Sequence, residues 1–78
     1  MPSTRIDPPK TLSYHSHLTS RELEVLSLIV EGKSNPQIAK ELYVSPNTIK
    51  SHVNGILNKL SVNDRVQAAV FAVRNQLI

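Results

Sequence analysis

The connection Tyr43-Val44-Ser45 constrains this chain more than any other feature of the sequence. Before it, a short helical pattern begins at Ser34, with Gln37 placed to complete a capping box, and ends near Tyr43. After it, Ser45 is placed to cap a second helix, with Pro46 at the first helical position, where proline is tolerated. So tight a connection between two short helices predicts a helix-turn-helix.

Two further helical patterns flank this pair. Residues Thr19–Glu22 have the spacing of a capping box, and Gly32 is placed to end that helix in the left-handed conformation. Asn63 is the predicted cap of a last helix, which runs from Asp64 to about Gln76. No alternation of apolar and polar residues indicates a strand. The sequence therefore predicts an all-α, four-helix helix-turn-helix domain without a wing.

The chain divides into two parts by composition. Residues 1–17 include Pro8-Pro9 and little apolar surface, which predicts a flexible amino-terminal arm or linker. Residues 18–78 form the predicted helix-turn-helix domain. Its helices carry apolar residues at helical spacing. The main predicted core positions are Leu23, Leu26, Ile29, Val30, Ile38, Ala39, Leu42, Ile49, Val53, Ile56 and Leu60.

The distribution of charge is more informative than the formal net charge of +3. Residues 19–31 contain three glutamates and one arginine, whereas residues 42–63 contain Lys50 and Lys59 and no carboxylate. Positive charge facing one direction favours the approach of a polyanion. This pattern indicates a nucleic-acid surface in the second half of the chain.

The outward face of the third helix has the chemistry of a groove-reading surface. Lys50 can donate to guanine or phosphate, Asn54 can pair with adenine or phosphate, and Ser51 can contact either. Thr48 lies where the helix dipole and free amides favour a phosphate. A solvated helix face is the plain alternative, and Lys59 also complements the helix dipole. The candidate DNA-binding residues are Asn47, Thr48, Lys50, Ser51, Asn54, Asn58 and Lys59.

Enzymatic chemistry has little support in this sequence. There is no cysteine, and two glycines cannot form a glycine-rich phosphate loop. His15 and His17 have no third ligand placed near them, so we expect no metal and no cofactor. We expect no contact with a membrane, because no apolar run is long enough to cross one and no secretory signal is present. The expected location is cytoplasmic.

Many residues together resemble the LuxR/NarL (GerE-like) family of bacterial regulators. The resemblance covers about residues 18 to 73. It is carried by Leu18-Thr19-Ser20-Arg21-Glu22, Val25-Leu26, Gly32, Ile38-Ala39, Leu42, Ser45, Thr48-Ile49-Lys50-Ser51-His52, Lys59-Leu60, Val62, Arg65 and Ala68.

The resemblance implies sequence-specific binding of double-stranded DNA by the output domain of a transcription regulator, typically a response regulator. It places the recognition helix Ser45–Leu60 in the major groove, with Lys50, Ser51 and Asn54 toward the bases and Thr48 and Lys59 near phosphates. It also implies a homodimer on DNA, formed through the helix Asn63–Gln76. RNA polymerase and an upstream receiver or ligand-binding domain are further partners that it admits. The predicted dimer residues are Val66, Ala69, Val70 and Val73.

Two departures from the family pattern stand out. Gly55 replaces an asparagine, which removes a possible polar contact or a helix-stabilising side chain. Ser61 replaces a glycine, so we expect the turn after the third helix to be strained or differently shaped. Arg65 is predicted to pair with Glu22 or Glu24, with DNA contact as the alternative. His52 is predicted to pack beside the core.

Two other functions compete with DNA binding. A protein-interaction module would carry a carboxylate or a bulky apolar residue on the outward face of the third helix, and neither is present. An RNA-binding domain would usually display aromatic side chains there for stacking on bases. The three aromatic residues, Tyr14, Tyr43 and Phe71, lie elsewhere in the sequence.

Overall fold

Four helices make up the part of the chain that the computed structural model describes, residues 18–78. They are α1 (Ser20–Val30), α2 (Asn35–Leu42), α3 (Pro46–Leu60) and α4 (Arg65–Arg74). No strand occurs within these residues. The predicted all-α, four-helix class is therefore confirmed. The predicted arm, residues 1–17 with His15 and His17, lies outside the described residues.

Side-chain caps explain where the first three helices begin. The Thr19 hydroxyl accepts the Glu22 amide at 3.0 Å, and Glu22 Oε1 accepts the Thr19 amide at 3.0 Å, which completes the predicted capping box. Ser34 and Gln37 form the same reciprocal pair at the start of α2. Ser45 caps α3 by accepting the Thr48 amide at 3.2 Å. These starts lie where the sequence predicts them.

The last helix begins and ends differently from the prediction. Asp64, not Asn63, is its cap, because Asp64 Oδ1 accepts the Gln67 amide at 2.9 Å. Asn63 instead donates its backbone N–H to Gln67 Oε1 at 2.9 Å. The helix ends at Arg74, before the predicted Gln76, which adopts a left-handed φ of 57°.

The core is formed where α3 crosses the other helices. Helix α3 packs against α1, α2 and α4, and α4 also packs against α1. Leu18, which precedes the cap of α1, and Leu77, which follows α4, are also buried. The largest fully buried side chains are Val25, Leu26, Ile38, Ile49 and Ile56. Because α3 contributes to every part of this core, the fold fixes the direction of its outer face.

The turn after α3 is strained at Ser61, as the replacement of glycine by serine predicts. Ser61 adopts φ 56° and ψ 44°, and its amide donates to the Asn58 carbonyl at 3.2 Å. This left-handed conformation is unfavourable for any residue with a Cβ, by about 1–2 kcal/mol. Glycine adopts it freely but is more flexible when unfolded.

We expect Ser61→Gly to raise the free energy of unfolding by about 0.5–1 kcal/mol in urea denaturation. Gly32 offers the matched control, because it ends α1 with φ 88° and has no atom within 4 Å of where a Cβ would lie. Gly32→Ala should therefore lower stability by about 1 kcal/mol through the backbone alone. A Ser61→Gly variant no more stable than the parent would show that this turn is not strained.

Candidate nucleic-acid interface

Helix α3 presents one polar face to solvent and one apolar face to the core. Its buried residues are Ile49, Val53, Ile56 and Leu60. Lys50 and Lys59 are the basic residues exposed on α3, and the amides and hydroxyls around Lys50 both donate and accept hydrogen bonds. The structure leaves the following predicted residues exposed on α3: Asn47, Thr48, Lys50, Ser51, Asn54, Asn58 and Lys59.

The amino-terminal turn of α3 is held by two hydroxyl groups. Ser45 Oγ lies 3.0 Å from Thr48 Oγ1 and accepts the Thr48 amide at 3.2 Å. Pro46, at the first helical position, fixes the backbone that enters the helix. The partial positive charge of a helix amino terminus favours an anion here. Thr48 is thus placed at a site suited to a phosphate, with its hydroxyl already oriented by Ser45.

Lys59 differs from the other candidates because it has a partner inside the protein. Its Nζ lies 2.7 Å from Glu22 Oε1, and 37% of the Lys59 side chain is exposed against 9% of Glu22. Lys59 also lies eleven residues beyond Thr48, which is about 16 Å along a helix. The ion pair joins the carboxyl end of α3 to the amino end of α1.

Glu22, predicted as part of a cap and as a possible partner of Arg65, pairs instead with Lys59. One of its oxygens accepts both the Thr19 amide and the Lys59 ammonium. A Cβ at position 55 would lie 2.9 Å from the other oxygen, so Gly55 leaves the room that this carboxylate occupies. The signal was present in the sequence: a glycine inside α3 followed four residues later by a lysine.

The carboxylate of Glu22 is held in its ionised form. Burial raises the pKa of Glu22, but the hydrogen bonds from Lys59 and from the Thr19 amide lower it. Electrostatic interactions with Lys59 and His52 lower it further, so the pKa of Glu22 lies below its ordinary value. His52 is half-buried beside this group. The arrangement therefore stabilises the folded chain most when Glu22 is charged.

Arg65 does not make the ion pair that was predicted for it. Its guanidinium donates to Asn35 Oδ1 at 2.6 Å and to the Lys33 carbonyl at 2.8 Å. Glu22 is already occupied by Lys59, and Glu24 pairs with Arg21 at 3.4 Å. Arg65 thus ties the start of α4 to the start of α2.

The predicted dimer residues on α4 do not share one environment. Val66, Val70 and Val73 are 68%, 48% and 59% exposed. Ala69 is half-buried and packs against the core. The three valines recur at helical spacing and form an exposed apolar surface on α4, the valine face.

None of the helices in residues 18–78 is both long and apolar enough to cross a membrane. Within the same residues, no group of three or more His, Cys, Asp or Glu side chains is placed to hold a metal ion.

The chain is similar to known bacterial regulators. The family described as GerE, bacterial regulatory proteins of the luxR family, matches residues 16–72. The transcriptional regulatory protein LiaR of Bacillus subtilis (strain 168) is 55% identical over 64 residues, which is 82% of this chain and 30% of LiaR. The response regulator protein VraR of Staphylococcus aureus (strain NCTC 8325 / PS 47) is 44% identical over 69 residues, 88% of this chain and 33% of VraR.

A solved structure of the transcription factor GerE matches the fold with a TM-score of 0.71 and 33% identity. The match covers 77% of this chain and 90% of that chain. The chain thus spans about a third of the length of the curated relatives it matches but nearly all of the GerE structure. The family is one of transcription regulators and not of enzymes, and with most of residues 18–78 inside the matched region, this chain belongs to the luxR family of bacterial regulatory proteins.

Proposed function

We propose that this chain is the DNA-binding output domain of a bacterial response regulator and that α3 reads a specific sequence in the major groove. The observation that carries the proposal is the outer face of α3, which is exposed and polar, has no carboxylate and contains Lys50 in its amino-terminal half. The names of the relatives LiaR and VraR, a transcriptional regulatory protein and a response regulator protein, support it.

In this proposal each end of α3 has a different task. Lys50, Ser51 and Asn54 lie in the amino-terminal half, the part of a recognition helix that reaches base edges. Asn47 and Thr48 lie at the start of the helix, where phosphates are favoured. The candidates toward the other end, Asn58 and Lys59, lie nearer to the flanking backbone.

Lys59 contributes to binding mainly by positioning. Its ammonium is hydrogen-bonded to Glu22 at 2.7 Å. If the ammonium moved away from Glu22 to bind a DNA phosphate, the nearly buried carboxylate would lose this partner. Its charge still adds to the positive potential near the groove. The ion pair holds α3 against α1 at the angle that the groove requires.

The function is tested by selecting bound duplexes from a random DNA pool with the purified chain at physiological salt. The expected result is enrichment of one motif with two related half-sites. The salt concentration must be fixed, because contacts to phosphates make affinity strongly dependent on salt. If the chain is folded by circular dichroism and no motif is enriched, sequence-specific binding by this chain is refuted.

We further propose that two copies pair on DNA through the valine face of α4. Such a face buries apolar surface best against its own copy across a two-fold axis, which also matches paired half-sites about 34–36 Å apart or at multiples of that spacing. An upstream receiver or ligand-binding domain would control this pairing in the longer protein, and RNA polymerase would be the partner of the assembled dimer.

The variant Val66→Glu tests the dimer, because it places two like charges across the proposed interface. We expect it to lose the affinity advantage of a two-half-site duplex over a single half-site, with single-site affinity unchanged. Val66→Gln removes the same apolar surface without a charge and should have a smaller effect. Titrations that show the same advantage for all three proteins would refute this interface.

A further inference from the structure

Tyr43 combines high exposure with a backbone conformation that is unfavourable for a bulky side chain. Tyr43 is 95% exposed, more than any other exposed large hydrophobic residue within residues 18–78. Its backbone adopts φ 60° and ψ 43° at the end of α2, the left-handed conformation that glycine adopts without penalty. A bulky side chain with this conformation is an outlier. Neither packing nor backbone geometry therefore favours a tyrosine here.

We propose that Tyr43 is a contact to the DNA backbone, with its phenolic hydroxyl donating a hydrogen bond to a phosphate beside the groove that α3 enters. This inference rests on the proposed function of α3. Strained residues held in place by the surrounding structure cluster at functional sites. Tyrosine hydroxyls are among the donors that contact phosphate oxygens in protein–DNA complexes.

The turn places Tyr43 close to the start of the recognition helix. The Tyr43 amide donates to the Lys40 carbonyl at 3.4 Å, and the Val44 amide donates to the Ala39 carbonyl at 3.0 Å, which fixes the turn. Ser45, the cap of α3, follows two residues after Tyr43, and two residues span at most about 7 Å. Because the major groove is about 12 Å wide, a helix terminus inside it lies close to the phosphates on either edge.

The charges around Tyr43 are compatible with a phosphate. The carboxylate nearest in sequence, Glu41, is paired with Lys33 at 2.7 Å, and no carboxylate follows until after Asn63. Lys40 is exposed on the same short helix. The turn therefore offers a phosphate a neutral donor, with an exposed lysine on the same helix, and the nearest carboxylate in sequence is already paired.

The test compares Tyr43→Phe and Tyr43→Gly with the parent chain on the selected duplex and on an unrelated duplex. Tyr43→Phe removes only the hydroxyl, and we expect binding to both duplexes to weaken by roughly three- to tenfold, the range of one hydrogen bond. The loss should be similar on both, because a phosphate contact carries no sequence information. The slope of affinity against salt should stay unchanged, because a neutral donor releases no counterion.

Tyr43→Gly gives a second signature of the same role. It should weaken DNA binding at least as much as Tyr43→Phe while raising the midpoint of thermal unfolding by a few degrees, because the strain is relieved. If Tyr43 were retained only for folding, Tyr43→Gly would lower the midpoint of thermal unfolding.

The possible failures are distinguishable. If Lys50→Ala weakens binding and Tyr43→Phe does not, the proposed function stands and the role of Tyr43 is refuted. If the folded parent chain binds no duplex, the proposed function itself fails and this inference fails with it. If both Tyr43 variants keep full DNA affinity but lose binding to purified RNA polymerase, Tyr43 is a protein contact and the inference is overturned.

Discussion

Replacing Glu22 by alanine should lower the free energy of unfolding by about 2–3 kcal/mol, because it removes a cap hydrogen bond and a charged hydrogen bond together. Glu22 is the one polar or charged residue recorded as buried in residues 18–78, and it contacts both Thr19 and Lys59. Without it the Thr19 amide loses its acceptor, and Lys59 no longer joins α3 to α1. In a domain of this size we expect the thermal midpoint to fall by roughly 10–20 °C.

Glu24 provides the matched control for this prediction. It lies two residues further along the same helix, is exposed, and makes only a surface ion pair with Arg21. Glu24→Ala should change stability by less than about 0.5 kcal/mol, as most surface substitutions do. Urea denaturation of both variants measures the difference. Equal losses in the free energy of unfolding would show that the contacts of Glu22 stabilise the fold no more than those of an exposed glutamate.

The pH dependence of stability provides a second readout of Glu22. Its pKa is lower in the folded chain than the ordinary value of 4.5, so the unfolded chain binds the proton more readily in acid. The stabilisation is therefore complete above that ordinary value and is lost as pH falls through the folded pKa. Glu22→Gln should make stability fall less steeply as the pH drops below about 4.5. If the stability of Glu22→Gln falls as steeply with decreasing pH as that of the parent chain, the acid dependence comes from other carboxylates.

The starts of α1, α2 and α3 were predictable because each depends on residues three positions apart. Thr19 with Glu22 is such a pair, and the sequence carries it without any knowledge of the fold. The start of α4 was missed by one residue, because Asn63 and Asp64 are both good caps and only the geometry at Gln67 distinguishes them.

The contacts between helices were not predictable in the same way. Lys59 meets Glu22 across 37 residues of sequence, and Arg65 meets Asn35 across 30. The local sequence does not distinguish these pairs from the pair of Arg65 with Glu22 or Glu24 that was predicted wrongly. Which side chains meet depends on how the helices cross. The role proposed for Tyr43 was not predictable for a related reason: its exposure and its left-handed backbone are properties of the folded turn.

The outer face of α3 was predictable from periodicity alone, but its contacts with DNA are still a proposal. Apolar residues at helical spacing fix which side of α3 is buried, and the other side follows. The same reasoning makes the substitution of Lys50 the sharpest test of that face, because Lys50 is exposed and has no part in the core.

Lys50→Ala should weaken binding to the selected duplex by about 1–3 kcal/mol, or roughly 5- to 150-fold, if the ammonium donates to a guanine. The loss should be much smaller on duplexes that carry another base pair at the contacted position, so specificity relaxes there. Thermal stability should change little, because the side chain is exposed. Binding titrations on a set of single-base variants at one salt concentration measure both effects.

Arg21→Ala is the matched control for Lys50, since it removes one positive charge from an exposed position on α1. If the effect of Lys50 were only its charge, both variants would weaken all duplexes to a similar small extent, because long-range attraction does not distinguish bases. A loss confined to one base pair in Lys50→Ala alone would instead identify Lys50 as a reader of sequence. A uniform loss across all duplexes would assign Lys50 to a phosphate and leave base recognition to Ser51 and Asn54.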